Sequence, residues 1–299
     1  VGSANDRAPG KHNTPRRSLV PETSQAAMSV TPSRLSTTSI TCNDRLSLAA
    51  LALLAFAVRV WRLDFQSLWR DEVDAVIFAT RPLADTLGMF TRVGENGPLY
   101  FLGLRGWIAL AGDGEFAIRF PSVCFGVLAV LVTYQLGRVL LGRRVALIAA
   151  VLMAASPYHI WYSQEAKMYA VISFLAPLSL LILWRAIHTD RRWLWLAWAA
   201  VMAVFLYVHL FAVMMALVAL LWTPVLHRLR RPRLSPALAL AALALLAATL
   251  PVARWLIPAA LTPVETGYYR YGLGEMIAIL LRNFSMGLRP AAGLWPVTA

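Results

Sequence analysis

Two short acidic sites stand out in this sequence by their position. The first, Ser67-Leu68-Trp69-Arg70-Asp71-Glu72, follows directly on an apolar stretch and leads into Val73 and Asp74. Adjacent carboxylates at the mouth of a membrane helix are expensive to bury, so they must be solvated, paired or metal-bound. Asp is a good N-cap, and Asp71 capping a helix that begins near Val73 is one account of the pattern. General base catalysis is the other, because an interfacial carboxylate can collect the proton of an incoming hydroxyl if burial carries its pKa toward neutrality.

The second site runs from Ser156-Pro157-Tyr158-His159 to Ser163-Gln164-Glu165-Ala166-Lys167-Met168-Tyr169, about ninety residues further on. Lys167 can neutralise Glu165 or bind a phosphate as a point charge. Tyr158, Trp161, Tyr162 and Tyr169 suit either an interfacial aromatic belt or a cavity wall. Arg119, beside Phe120 and Pro121, is a snorkelling helix-end residue or a holder of a lipid phosphate, and Arg105 competes for the second role. His209 stands alone in an apolar stretch, where a packed turn residue is the plainer account. With His159 it would make only a partial metal site, because the ligand spacing is not local. The sequence contains no nucleotide-binding glycine loop, nucleophile elbow or zinc-protease helix motif, which argues against an ATP-driven machine.

The elements that must position these residues are apolar helices. Of 299 residues, 59% are hydrophobic and 14% charged, with a mean hydropathy of +0.61; soluble proteins carry roughly 25% charged residues. The formal charge of +13 would suggest nucleic acid in a soluble domain, but here it lies in clusters between apolar runs, where the positive-inside rule places it. The expected partners are membrane lipids, with no nucleic acid. Cys42 and Cys124 are too few for a disulfide framework.

Residues 1–44 hold thirteen Ser or Thr and four Pro, a composition that cannot repay the entropy of ordering, and they read as a disordered cytoplasmic leader. Residues 45–299 read as a multispanning membrane domain cut short at its C-terminus. A first span is expected over about Leu46 to Trp61, with Arg59 and Arg62 close enough to its end to snorkel. Further spans are expected between Arg119 and Arg138, over Val145 to Gln164, over Met168 to Trp184 and from about Leu234 to Ala253, where Pro251 bends or ends the helix. From Trp193 to Leu226 no Asp, Glu, Lys or Arg occurs in 34 positions; as one helix this would be roughly 51 Å long at about 1.5 Å per residue. Two passes turning near His209 fit better and place the histidine at an aqueous end.

That makes seven crossings, with Asn96 to Gly112 set aside as a juxtamembrane helix. Arg138, Arg143 and Arg144, then Arg191 and Arg192, then Arg228, Arg230, Arg231 and Arg233 then all fall inside. Residues 64–117 fall outside, with eight acidic residues against four basic ones, and both acidic sites face the same side.

Taken in order, Ser67 to Glu72, Glu95-Asn96-Gly97-Pro98-Leu99-Tyr100, Arg119-Phe120-Pro121-Ser122 and Ser156 through Tyr169 resemble the motifs of a multispanning glycosyltransferase. The chain is similar over about residues 46–230 to the bacterial branch of the dolichyl-phosphate-mannose protein mannosyltransferase superfamily, which includes aminoarabinose transferases. The resemblance implies an all-α polytopic membrane protein of GT-C type, with juxtamembrane helices in the first external loop and a cavity open to the extracytoplasmic side of the bacterial inner membrane. It implies a polyprenyl-phosphate sugar as donor and a hydroxyl of protein, lipid or cell-envelope glycan as acceptor.

By the same resemblance Asp71, Glu72 and Glu165 are catalytic, with Asp71 as base or acceptor-orienting group, and Arg119, Arg105 and Lys167 are the candidates for the donor phosphate. Glu95, Pro98, Tyr100, Tyr158, His159, Gln164, Tyr169 and His209 are expected around the cavity or acceptor. Lys167 stands where the motif usually has Arg, which keeps the charge but loses the bidentate fork. Gly97-Pro98 replaces the family's proline pair. A divalent metal is left open, since its requirement differs between branches. The rivals are a transporter or lipid flippase, which calls for ionisable groups at mid-bilayer and an internal repeat, and a noncatalytic scaffold.

Overall fold

The structure is a computed structural model that describes residues 42–90, 97–210, 212–229, 235–261 and 272–286. The expectations for residues 1–41, for Glu95 and for the last thirteen residues lie outside these ranges. All regular structure among the described residues is helical.

Helix α1 (Cys42–Val60) precedes three helices of the first long connection, α2 (Arg70–Thr80), α3 (Leu83–Gly88) and α4 (Pro98–Ala111). Helices α5 (Glu115–Leu141), α6 (Arg143–Ala155), α7 (Pro157–Ser163) and α8 (Tyr169–Thr189) follow, then α9 (Arg192–Val208), α10 (Ala212–Arg228), α11 (Pro236–Leu261) and α12 (Leu273–Met286). Helices α5 and α8 and the stretch Pro236–Ala253 are each long and apolar enough to cross a membrane, and α6 with α7 makes a fourth crossing if that pair, bent by 61°, is one broken span.

Every stretch expected to cross is helical, but α9 and α10 have 17 residues each. At about 1.5 Å per residue that is roughly 26 Å, short of a ~30 Å hydrocarbon core. The chain does turn at His209, whose extended backbone ends α9. Large apolar side chains such as Leu53, Leu152, Leu221 and Leu250 lie exposed along these helices. On a soluble protein such a surface would be a liability; on a multi-pass membrane protein it faces lipid.

The break between α6 and α7 follows from Pro157, which has no N–H to give the carbonyl four residues back. A cation from another helix takes over. Arg59, expected at the interface, is instead wholly buried. Its guanidinium donates to the carbonyls of Met153 and Ala154 at 3.3 and 3.2 Å, to Ala55 O at 2.9 Å, to Ser163 Oγ at 3.3 Å and to His159 Nδ1 at 2.7 Å. A charge can remain buried only when its donors are satisfied in this way. Close approach requires Gly126 on α5: a Cβ there would collide with the Ser163 side chain and lie 3.2 Å from Arg59 Cδ.

Candidate active site

Helix α2 begins at Arg70 rather than near Val73, so Asp71 is not its N-cap; Asp71 and Glu72 both occupy the first turn, where the positive end of the helix dipole favours carboxylates. Being adjacent, they point about 100° apart around the helix, and their surroundings differ accordingly.

Glu72 turns inward and is 1% exposed. Its Oε1 accepts from Arg119 Nε at 2.8 Å and its Oε2 from Arg119 Nη2 at 2.6 Å, a forked pair between α2 and the start of α5. The same Oε1 accepts from the backbone N of Ala166 at 2.9 Å. Arg119 places its remaining donors on three carbonyls of the connection after α1: Leu63 at 2.8 Å, Gln66 at 2.9 Å and Ser67 at 3.3 Å. Arginine has five N–H donors, and all five are occupied. Arg119 therefore neither snorkels nor keeps a donor for a phosphate; with Glu72 it clamps the first long connection to α5 and to the Glu165 loop. Such a buried fork stands only because its desolvation is offset by complete hydrogen bonding.

The clamp brings the two acidic sites together, as the sequence led us to expect. Lys167 Nζ donates to the carbonyl of Asp71 at 3.0 Å, and Ser122 Oγ on α5 approaches the carbonyl of Lys167 at 3.5 Å. The Asp71 carboxylate is half-buried and takes no hydrogen bond among the described residues. Glu165, in the turn between α7 and α8, is 4% exposed, and neither carboxylate oxygen has a hydrogen-bond partner among the described residues. Burial, opposed by the nearby Trp161 indole, which does not reach hydrogen-bond geometry, and by Arg119, and helped by repulsion from Glu72 and Asp71, pushes its carboxyl up to about 7. A carboxyl poised near neutrality in a cleft is a common mark of a working group.

The cleft has a volume of about 590 Å³, and its wall includes Glu72, Arg119, Gln164 and Glu165 together with Arg62, Trp61, Trp69 and Trp161. Asp71, Lys167 and Arg105 do not line it. Arg105 instead caps the end of α2, donating to the carbonyls of Ala79 and Arg81 at 3.1 and 2.7 Å. Gln164 lines the cleft while its amide donates to the carbonyls of Arg59 and Trp61, both at 3.0 Å.

Beside it, a smaller cavity of about 250 Å³ is lined by Tyr158, His159, Tyr162 and Tyr169. The three tyrosine rings meet edge to face, with centroids 4.8 Å apart in each successive pair. Because Arg59 can only donate, His159 Nδ1 must accept. Its Nε2 then carries the hydrogen and faces Ser173 Oγ at 3.2 Å. His159 is thus a neutral link between α1 and α8.

Tyr100 and Pro98 are buried in α4. The left-handed Gly97 that opens this helix sits against Met168 and the carbonyl of Val208, where a Cβ would be 2.6 and 2.9 Å from their atoms. His209, one residue further on, is buried, and burial pushes its imidazole down; it is not in the cleft wall. Among the described residues no three His, Cys, Asp or Glu side chains cluster as a metal site would require.

Arg62, Phe65 and Trp61 are members of the cleft that sequence reasoning did not assign to it. Their only signal is the run Trp61-Arg62-Leu63-Asp64-Phe65, aromatics flanking a cation just beyond a span.

A sequence model of the family described as "Dolichyl-phosphate-mannose-protein mannosyltransferase" matches residues 95–255, over half of the chain. The chain belongs to this family. The matched range holds Arg119 and the Glu165 loop, while Asp71, Glu72 and Arg62 precede it. No curated protein matches the chain. Among solved structures it is similar to the S. cerevisiae protein O-mannosyltransferase Pmt1-Pmt2 complex bound to the sugar donor, with 21% identity and a TM-score of 0.54 over 74% of this chain. That likeness is one of fold, and it assigns this mannosyltransferase-family chain to the GT-C type of polytopic membrane protein. The chain spans about a third of the length of that relative, 34%.

Proposed function

We propose that this protein is a membrane glycosyltransferase that moves a sugar from a polyprenyl phosphate to a hydroxyl of a protein, lipid or cell-envelope glycan. The observation that carries this is the meeting of two acidic sites, brought together by the Glu72 contacts to Arg119 and Ala166, at the rim of a cleft large enough for a small ligand. The charge pattern supports an N-terminus on the cytoplasmic side of a bacterial inner membrane and a site on the opposite side.

In the proposed reaction the acceptor oxygen attacks the anomeric carbon, the bond from that carbon to the phosphate oxygen breaks, and polyprenyl phosphate leaves with the electron pair. The acceptor proton passes to the Asp71 carboxylate, which no hydrogen bond ties down. A single displacement inverts the anomeric centre. Glu72 holds the geometry instead of exchanging protons. Of the three basic candidates, Lys167 fits the departing phosphate best, because it sits beside Asp71 and one contact leaves two of its three N–H donors. The activated lipid donor supplies the energy, in keeping with the missing nucleotide motifs.

The test is transfer in membranes supplied with a panel of polyprenyl-phosphate sugars and envelope acceptors. Asp71→Asn should abolish transfer while its thermal midpoint stays within about 2 °C of the parent, because the change keeps the shape of a side chain that takes no hydrogen bond among the described residues. Undiminished transfer by a well-inserted Asp71→Asn variant would remove Asp71 as the base.

A further inference from the structure

The geometry points to Arg62 as a residue that binds the phosphate of a polyprenyl-phosphate ligand, held ready by a strained turn that the surrounding elements impose. This rests on the glycosyltransferase reading and adds to it a phosphate contact in the cleft wall, which Lys167 does not line.

Arg62 has φ of 55°. A non-glycine residue in the left-handed region is uncommon and unfavourable, and it persists only where its surroundings over-determine it, most often at functional sites. Here the cause is visible. Gln164 grips the carbonyls of Arg59 and Trp61, and Arg119 grips those of Leu63, Gln66 and Ser67. Five carbonyls on both sides of Arg62 are thus fixed by side chains from α5 and from the Glu165 loop. The turn they enforce leaves the Arg62 guanidinium 3.3 Å from the centroid of the Phe65 ring, in the wall of the 590 Å³ cleft. Stacking holds the guanidinium plane and leaves its edges free to fork onto an anion.

The charges that face this cleft decide the ligand class. Its cations are Arg62 and Arg119, and its carboxylates are Glu72 and Glu165. Arg119 and Glu72 neutralise each other. The Arg62 guanidinium makes no hydrogen bond or ion pair among the described residues, and its contact is the Phe65 ring. Glu165, raised to about 7, can carry a proton and donate to an anion instead of repelling it. The cleft is therefore suited to a monoanionic or dianionic head, while Trp61, Phe65, Trp69 and Trp161 offer apolar surface for the first isoprene unit.

The full chain in nanodiscs is titrated with farnesyl phosphate and with farnesol, and binding is followed by tryptophan fluorescence, to which the three cleft tryptophans contribute. The parent should bind the phosphate more tightly than the alcohol, and inorganic phosphate should compete poorly. Arg62→Gly should weaken farnesyl phosphate binding roughly 10- to 100-fold, the range of a lost charge-assisted fork, and Arg62→Lys should recover part of it. Glycine accepts the left-handed turn without strain, so the thermal midpoint of Arg62→Gly should equal or exceed that of the parent. Binding unchanged in Arg62→Gly, equal affinity of the parent for farnesol, full competition by inorganic phosphate, or a large drop in thermal midpoint would each overturn the assignment. Failure of the glycosyltransferase reading is seen separately, as the absence of transfer by the parent from every donor of the panel while farnesyl phosphate binding persists.

Discussion

Removing the Glu72 carboxylate should damage the fold more than any other single change in the first long connection. Glu72→Ala strips two charge-assisted bonds from Arg119 and one acceptor from the Ala166 N–H, and it leaves a guanidinium that is 5% exposed without a counter-charge. Breaking a buried pair by deleting one partner costs about 3–5 kcal/mol. For a chain of this size each kcal/mol moves the thermal midpoint by roughly 2–4 °C, so a fall on the order of 10 °C is expected. Thermal and denaturant unfolding in detergent should be measured for Glu72→Ala, Arg119→Ala and the double variant. The double variant should be less damaged than the sum of the singles by about 2 kcal/mol or more, the signature of residues that act on each other. Arg119→Lys should behave more like Arg119→Ala than like the parent, because an ammonium cannot fork onto Glu72 while reaching three carbonyls. Additive effects, or a Glu72→Ala protein as stable as its parent, would refute the clamp and with it the physical basis for bringing the acidic sites together.

Two further outcomes test other parts of the structure. Glu165 has its carboxyl raised from 4.5 to about 7, so the folded state binds the proton more tightly than the unfolded one. Its stabilising contribution is then greatest below about pH 4.5 and is lost as pH rises toward 7, by at most on the order of 3 kcal/mol. The thermal midpoint of the parent relative to Glu165→Gln should therefore fall between pH 5 and 7.5, and a constant difference across that range would show that Glu165 is not perturbed. Gly126→Ala should lower the midpoint by several degrees, since the added methyl meets Ser163 and Arg59 between packed helices; a neutral result in the same melt would show that α5 can shift aside.

Much of the architecture was legible because membrane burial follows simple rules of composition. Uncharged runs of spanning length located the helices, and the turn near His209 followed from a run too long to cross once. The motif order marked Asp71, Glu72, Arg119, Glu165 and Lys167 as a group, since carboxylates and cations at the mouths of apolar helices need partners or tasks. The bend at Pro157 has a local cause in the missing N–H, but the Arg59 guanidinium that meets the freed carbonyls comes from another helix.

The division of labour within that group was beyond the sequence. Asp71 and Glu72 are neighbours with the same functional group, and only the direction each takes from α2 makes one a buried anchor and leaves the other half-buried without a hydrogen bond among the described residues. Arg59, Arg62, Arg105 and Arg119 are alike as letters. Packing seals Arg59 behind a broken helix, sets Arg105 on the end of α2, and uses all of Arg119 on Glu72 and three carbonyls. It leaves Arg62 stacked on Phe65 in the cleft wall. Composition and spacing determined that charged groups would gather at one face of a helical membrane protein. Which of them have their hydrogen bonds satisfied, and which retain capacity for a ligand, was decided by contacts between segments from 24 to 104 residues apart, because hydrogen-bond donors are counted in space and not along the chain.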